Sequence, residues 1–414
     1  MATTIDRQDA FSGTREVAER LRFDEARLAD YLRANVKGFA GPVAVRQFKG
    51  GQSNPTYLIE TPQRRYVLRR KPPGKLLPSA HAVDREHRII SALYAQGFPV
   101  AEPVLYCADE AIVGTAFLVM GFVDGRVFWE PQMPASHPAE RAQVYAAMNT
   151  TIARLHSFEP AQIGLGDYGR GENYVARQVE RWSKQYRASE TEKIEDMERL
   201  IAWLPAHLPP AQPARAVHGD YRLDNIILAP DAPKIAAVLD WELSTLGDPL
   251  ADFTYHLMQW HMPPHDAGTG SLLGLDLAAL GLPSLETYVD AYMARTGLDP
   301  WPYLPVYFAY NFFRLAAILQ GIVGRVRDGT ATSAFAAAKA EMVRPLAAKA
   351  WEFARKAAAK RERACPYPGA RSARRDWREA HGDRRHLDRR AGRRRLCSRH
   401  ERQGDAPLRH RSRP

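Results

Sequence analysis

The chain has 414 residues, 45% apolar and 10% aromatic, enough for two lobes around a large core. Its three cysteines, Cys107, Cys365 and Cys397, imply no disulfide framework. The net charge of +11 would suit a nucleic-acid binder, but its location argues otherwise. Residues 361–414 hold 18 Arg and no Lys against 4 Asp and 3 Glu, whereas residues 1–360 balance 40 basic against 40 acidic groups.

In chain order, Met1–Glu16 is polar and carries acids, without an apolar signal segment. No apolar run approaches the roughly 18 residues that span a bilayer, so a cytoplasmic protein with no membrane partner is expected. Residues 24–36 read as a short amphipathic helix. Alternating segments at 43–48, 56–60 and 65–69 read as strands, followed by a helix over 83–96 with Ile89, Ile90 and Leu93 on its inner face. Two more strands are expected at 104–106 and 116–120, then a hinge at Gly121–Gly125. Beyond it the chain turns helical, with helices over 140–157, 173–187, 248–260, 285–296, 305–325 and 333–360. The division expected is an N-terminal extension (1–23), a small lobe (24–121), a helical lobe with the catalytic loop and substrate site (122–360), and a tail (361–414). The tail is too poor in aliphatic residues to bury a core. It lacks the aromatic interleaving of single-strand binders, and no specific nucleic-acid partner is expected.

Chemistry concentrates in His218-Gly219-Asp220-Tyr221-Arg222-Leu223-Asp224-Asn225, whose spacing H-x-D-x-x-x-x-N is that of a phosphoryl-transfer loop. Asp220 is the candidate base for an acceptor hydroxyl. Asn225 offers a neutral oxygen to magnesium, and Asp240, after the apolar run 235–239, a hard carboxylate oxygen. Glu242 can add a ligand or hold a bound water. His218 is expected to brace the backbone, and Asp248 and Asp252 to cap a helix or brace the loop. In the small lobe, Gly50-Gly51-Gln52-Ser53-Asn54 can fold over nucleotide phosphates and offer backbone N–H groups. If Val67 faces the cleft, alternation brings Arg69 to the same face. There it would meet the phosphates and pair with Glu86.

Together these motifs resemble the aminoglycoside phosphotransferase (choline/aminoglycoside kinase-like) family over roughly residues 25–350. The strongest parts are H-G-D-x-x-x-x-N at 218–225, L-D-W-E at 239–242 and G-D-P-x-x-D at 247–252. The resemblance implies an α+β, two-lobed protein-kinase-like fold, with a small antiparallel-sheet lobe and a mainly helical lobe. It implies ATP and Mg2+ as cofactors and a small-molecule hydroxyl as acceptor, with Asp220 as base and Asn225 and Asp240 as metal ligands. It also implies the Arg69–Glu86 pair, with one departure: Arg stands where the family has Lys, and the two are not equivalent phosphate binders. The stretch Tyr66–Leu77 is similar to the kinase-like domain that accompanies certain acyl-CoA dehydrogenases. That implies a working link to such an enzyme and a hydroxyacyl-CoA acceptor. An anionic acceptor also suits the basic positions Arg177, Arg181, Lys184 and Arg187 on one helix and Arg314 and Arg325 on another. Arg181 and Arg314 are accordingly the candidate substrate residues. The alternatives are an aminoglycoside or other amino-alcohol kinase, and a nucleotide-binding scaffold without turnover.

Overall fold

Alternation builds the small lobe. Tyr57 and Ile59 of one strand face Leu68 and Tyr66 of the next in register, and all four are buried. The computed structural model describes residues 7–49, 54–74, 81–264, 270–328 and 336–364. Gly50, Gly51, Ser53 and the Arg-rich tail beyond Ala364 lie outside them. In chain order the small lobe holds α1 (Arg7–Phe11), β1 (Thr14–Arg15), α2 (Glu25–Asn35), β2 (Ala44–Phe48), β3 (Thr56–Glu60) and β4 (Arg65–Arg70). Then come α3 (Val83–Ala95), β5 (Pro103–Cys107), α4 (Glu110–Val113) and β6 (Phe117–Gly121). The six strands form one antiparallel sheet in the order β1-β2-β3-β4-β6-β5. Its core joins Leu28 and Leu32 of α2 to Tyr57, Leu68 and Phe117 of the sheet. On the opposite face of β4, Val67 and Arg69 line the cleft between the lobes. Ile89, Ile90 and Leu93 of α3 are buried in the core shared with the large lobe.

The large lobe contains α5 (Pro138–Ser157), α6 (Tyr174–Ser189), α7 (Glu195–Trp203), β7 (Arg215–Val217), β8 (Ile226–Leu228), β9 (Ile235–Val238) and β10 (Thr245–Gly247). These are followed by α8 (Pro249–Leu257), α9 (Leu277–Leu280), α10 (Leu285–Thr296), α11 (Leu304–Arg327) and α12 (Ala336–Ala364). Two small antiparallel ladders, β7 with β10 and β8 with β9, hold the two chemistry-bearing turns side by side. Asp248 starts α8 by accepting from the N–H groups of Leu250 and Ala251, and Pro249 sits at the first helical position.

Among the described residues one helix, α11 with 24 residues, has the length and composition to cross a bilayer, although Asn311, Arg314 and Gln320 interrupt its apolar sequence. It is apolar nearly all round because it is a core helix, with 72% of that stretch buried. Phe308 and Phe312 stack on Phe353 of α12. The short helices α4, α7 and α9 went unanticipated because so few turns carry little periodicity.

Candidate active site

The candidate catalytic loop runs from β7 to β8 and is held from below by one carboxylate. Asp252, buried in α8, accepts from the backbone N–H of His218 at 2.8 Å through Oδ2 and from that of Gly219 at 2.7 Å through Oδ1. Burial alone would raise this carboxyl, but the hydrogen bond from His156 and the N–H of His218 hold it below the usual carboxylate range. Arg314 of α11 grips the same peptide from the other side, its Nη2 donating to the Gly219 carbonyl at 2.9 Å. His218 is fully buried. Its Nδ1 accepts from the Asp220 N–H at 3.1 Å, so its proton sits on Nε2 and is donated to the Leu239 carbonyl at 2.8 Å. It therefore ties this loop to the turn after β9 that carries Asp240.

Gly219 makes the sharp turn at φ +84°, and a Cβ there would lie 2.8 Å from the Leu243 carbonyl oxygen. Gly219→Ala is therefore expected to destabilise the fold by about 1–3 kcal/mol and to displace Asp220, seen as a lower melting temperature together with lost turnover. A wild-type melting curve with normal turnover would contradict this.

The Asp220 side chain is positioned by two neighbours. Asn225 Nδ2 donates to the Asp220 carbonyl at 3.0 Å and to its carboxylate Oδ2 at 3.2 Å. Arg222 bridges Asp220 Oδ1 at 3.2 Å and Asp224 Oδ2 at 2.8 Å. Because Asn225 spends its amide N–H groups on Asp220, its Oδ1 is left as the atom that can ligate a cation. The β8–β9 register and a 2.8 Å bond from the Leu239 N–H to the Asn225 carbonyl bring Asp240 beside it. Asp240 has φ +62°, an unusual conformation for a residue with a side chain, and it turns out of the strand toward the cleft.

Arg69 crosses from β4 to meet three carboxylates. Its Nη2 lies 2.7 Å from Asp240 Oδ1 and 3.4 Å from Glu242 Oε2, and its Nε lies 3.3 Å from Glu86 Oε2. Burial alone would raise the Asp240 carboxyl, and Arg69, with Arg222 behind it, holds it below its ordinary value. Glu86 goes the other way. Burial pushes it up to about 7 despite Arg69, and the negative charges of Asp240 and Glu242 add to that push. A folded-state value above the unfolded one means that the fold binds the proton more tightly. The Glu86 contribution is then fully present below about pH 4.5 and is lost as pH rises through about 7. Denaturant melts of Glu86→Gln and the parent at pH 5 and pH 8 should therefore diverge, the parent losing more stability with rising pH. A pH-independent difference would refute the assignment.

Asn54, at the end of the glycine-bearing connection, is 1% exposed. Its Oδ1 accepts from His81 Nδ1 at 2.9 Å and its Nδ2 donates to Glu242 Oε2 at 3.5 Å. Arg69, Glu86, Asn225 and Asp240 line a cleft of about 1190 Å³. Val67, Ala101, Met120, Ile227 and Val238 give it apolar lining, and Arg69, Asn225 and Asp240 give it polar lining. An apolar slot beside a few converging polar groups fits a nucleotide: a flat base, then phosphates. The hard oxygens of Asn225 and Asp240 fit Mg2+.

A match to the phosphotransferase enzyme family spans residues 44–288. The chain belongs to that family. It is 42% identical over 344 residues to acyl-CoA dehydrogenase family member 10 of Mus musculus, a match covering 83% of this chain and 32% of that protein. It is 42% identical over 352 residues to acyl-CoA dehydrogenase family member 11 of Gallus gallus, covering 83% and 45%. The chain thus spans less than half the length of these curated relatives. Among solved structures, a Ralstonia eutropha JMP134 protein classed with the aminoglycoside phosphotransferases is 48% identical at a TM-score of 0.74, with 81% of this chain and 99% of that chain covered. The two-lobed α+β kinase-like fold is therefore the architecture of this phosphotransferase-family chain.

Three expected placements come out differently. Arg314 does not lie on a substrate-facing cationic surface; it is 6% exposed and bound to the Gly219 carbonyl, and so supports the catalytic loop. The basic face of α6 is largely spent within the molecule. Lys184 pairs with Glu180, Arg187 with Glu198 and Glu190, and Arg177 holds the carbonyls of Arg170 and Glu172. Arg181 is exposed and lies over the Trp182 ring at 5.2 Å. Glu242 faces Arg69, Asn54 and His81, tying the two lobes together, rather than standing open as a metal ligand. Burial raises its carboxyl. Sequence reasoning overlooked Arg222, which stood in plain view among the variable positions of the loop motif.

Proposed function

We propose that this phosphotransferase-family chain moves the γ-phosphate of ATP to a hydroxyl of a small anionic molecule, with a hydroxyacyl-CoA as the acceptor class. The reading rests above all on one arrangement: Asp220 is oriented by Asn225 and Arg222, and Asn225 and Asp240 line a cleft whose lining is partly apolar. Asp220 orients the acceptor hydroxyl and receives its proton, Arg69 faces the phosphates, and Glu86 steadies Arg69. Asn225 and Asp240 would hold Mg2+, which when bound neutralises charge on the β- and γ-phosphates.

The acceptor class is supported by the kinship with proteins named for acyl-CoA dehydrogenases, since the basic helix faces no longer argue for it. A second feature disfavours a polycationic aminoglycoside. The small cavity beside the catalytic loop is walled by Trp129, Met258, Met262 and Leu315, and its carboxylate Asp224 is already paired with Arg222. ADP production should be followed with hydroxyacyl-CoA, aminoglycoside and amino-alcohol acceptors. Turnover that depends on the hydroxyacyl-CoA is expected. Turnover with an aminoglycoside alone would replace the acceptor, and no ATP turnover with any of them would leave the scaffold reading.

A further inference from the structure

Residues 7–15 precede the segment matched by the family, which begins at residue 44, yet they form part of the cleft wall. Gln8, Phe11, Ser12 and Gly13 line the same cavity as Arg69 and Asp240. The segment is fastened at both ends, and the two fastenings differ in kind. On the small lobe it is backbone: Thr14 pairs with Phe48 and Arg15 with Gln47, and the Lys49 N–H donates to the Gly13 carbonyl at 3.1 Å. Arg46 adds a bond to the Thr14 hydroxyl at 2.9 Å. At the other end it is held by side chains, to the segment beyond the hinge. Gln8 Nε2 donates to the Val127 carbonyl at 3.0 Å, Trp129 Nε1 donates to the Ser12 hydroxyl at 3.1 Å, and the Phe11 and Trp129 rings lie 5.1 Å apart.

From this asymmetry we infer that α1 is a strap across the mouth of the nucleotide site, one that stays hinged on β1 and lets go at Trp129 when a nucleoside di- or triphosphate enters or leaves. The inference rests on the cleft being a nucleotide site. The pivot is Gly13, with φ +81° and open space where a Cβ would be. Side-chain bonds open before a strand ladder does, because two half-exposed hydrogen bonds and one ring pair are worth less than paired backbone in a sheet. The strap joins both sides of the hinge, so closing it also limits how far the lobes can part. Its contribution is to residence time: a nucleotide beneath it waits for the strap.

The test is nucleotide exchange. The full chain, a chain lacking residues 1–12, Phe11→Ala and Trp129→Phe would each be loaded with methylanthraniloyl-ADP and Mg2+ and chased with excess ADP. Removing the strap is expected to speed dissociation roughly tenfold or more, the sum of a ring pair and two hydrogen bonds. Each substitution should speed it severalfold. Trp129→Phe keeps a ring but drops the Nε1 donor, and it serves as the milder variant if the truncation does not fold. Nucleotide that binds all four proteins and leaves at one common rate overturns the strap while the nucleotide site stands. A full chain that binds no labelled nucleotide overturns the strap together with the proposed function.

Discussion

Asp220→Asn is expected to lower phosphoryl transfer by roughly 10²–10⁴-fold while changing nucleotide affinity by no more than about twofold, well under 1 kcal/mol. Asn keeps the shape of Asp and can still accept from Asn225 Nδ2 through its oxygen, so the loop geometry should survive. Arg222 loses one carboxylate but keeps Asp224 at 2.8 Å, and is not stranded. The groups proposed to face the nucleotide come from other elements: Arg69 from β4, Glu86 from α3 and Asp240 from the turn after β9. What the substitution removes is the charge that draws a proton from the acceptor hydroxyl. Parallel measurement of ADP binding and of acceptor-dependent ADP release separates the two effects. Transfer persisting near the parent rate would remove Asp220 from the role of base, and loss of ADP binding would show that it supports the nucleotide instead.

The geometry of the candidate catalytic loop is legible in the sequence because its residues are local. His218, Asp220 and Asn225 lie on one turn between two strands, and a short apolar run sets the distance to Asp240. Arg69 and Glu86 were legible for a related reason: alternation fixes the face of β4, and Val67 and Arg69 do share the cleft. The basic faces misled because helical spacing places side chains on a face but is silent about what lies opposite. For Arg187 that is Glu198, on the next helix; for Arg314 it is the backbone of the catalytic loop. Glu242 misled in the same way, since the pattern D-x-E does not reveal that Asn54 and His81 of the small lobe close over it. The N-terminal segment was invisible for another reason. A two-residue strand and a five-residue helix have no period to detect, and its partners Phe48, Val127 and Trp129 lie far along the chain.

Arg69 is the residue whose loss should cost the fold most, and the nature of that cost can be tested. One guanidinium spans Glu86, Asp240 and Glu242, carboxylates from α3 and from the turn after β9, all at 2.7 to 3.4 Å. Arg69→Met keeps most of the volume and leaves those carboxylates uncompensated, an expected loss of about 3–5 kcal/mol. Arg69→Lys restores a charge, but a single ammonium cannot reach partners on both sides as a planar fork does, so about half of that loss should remain. The sign of the pH dependence identifies the cause. Without Arg69 the carboxyls rise further in the folded state, so the fold takes up protons and the deficit of Arg69→Met should shrink from pH 8 to pH 5. Adding Glu86→Gln to Arg69→Met should recover part of the deficit at pH 8 and little at pH 5. Denaturant unfolding of the single and double variants at both values decides between electrostatics and packing: a deficit independent of pH, unrelieved by Glu86→Gln, would mean that Arg69 holds the lobe by its methylenes rather than by its charge.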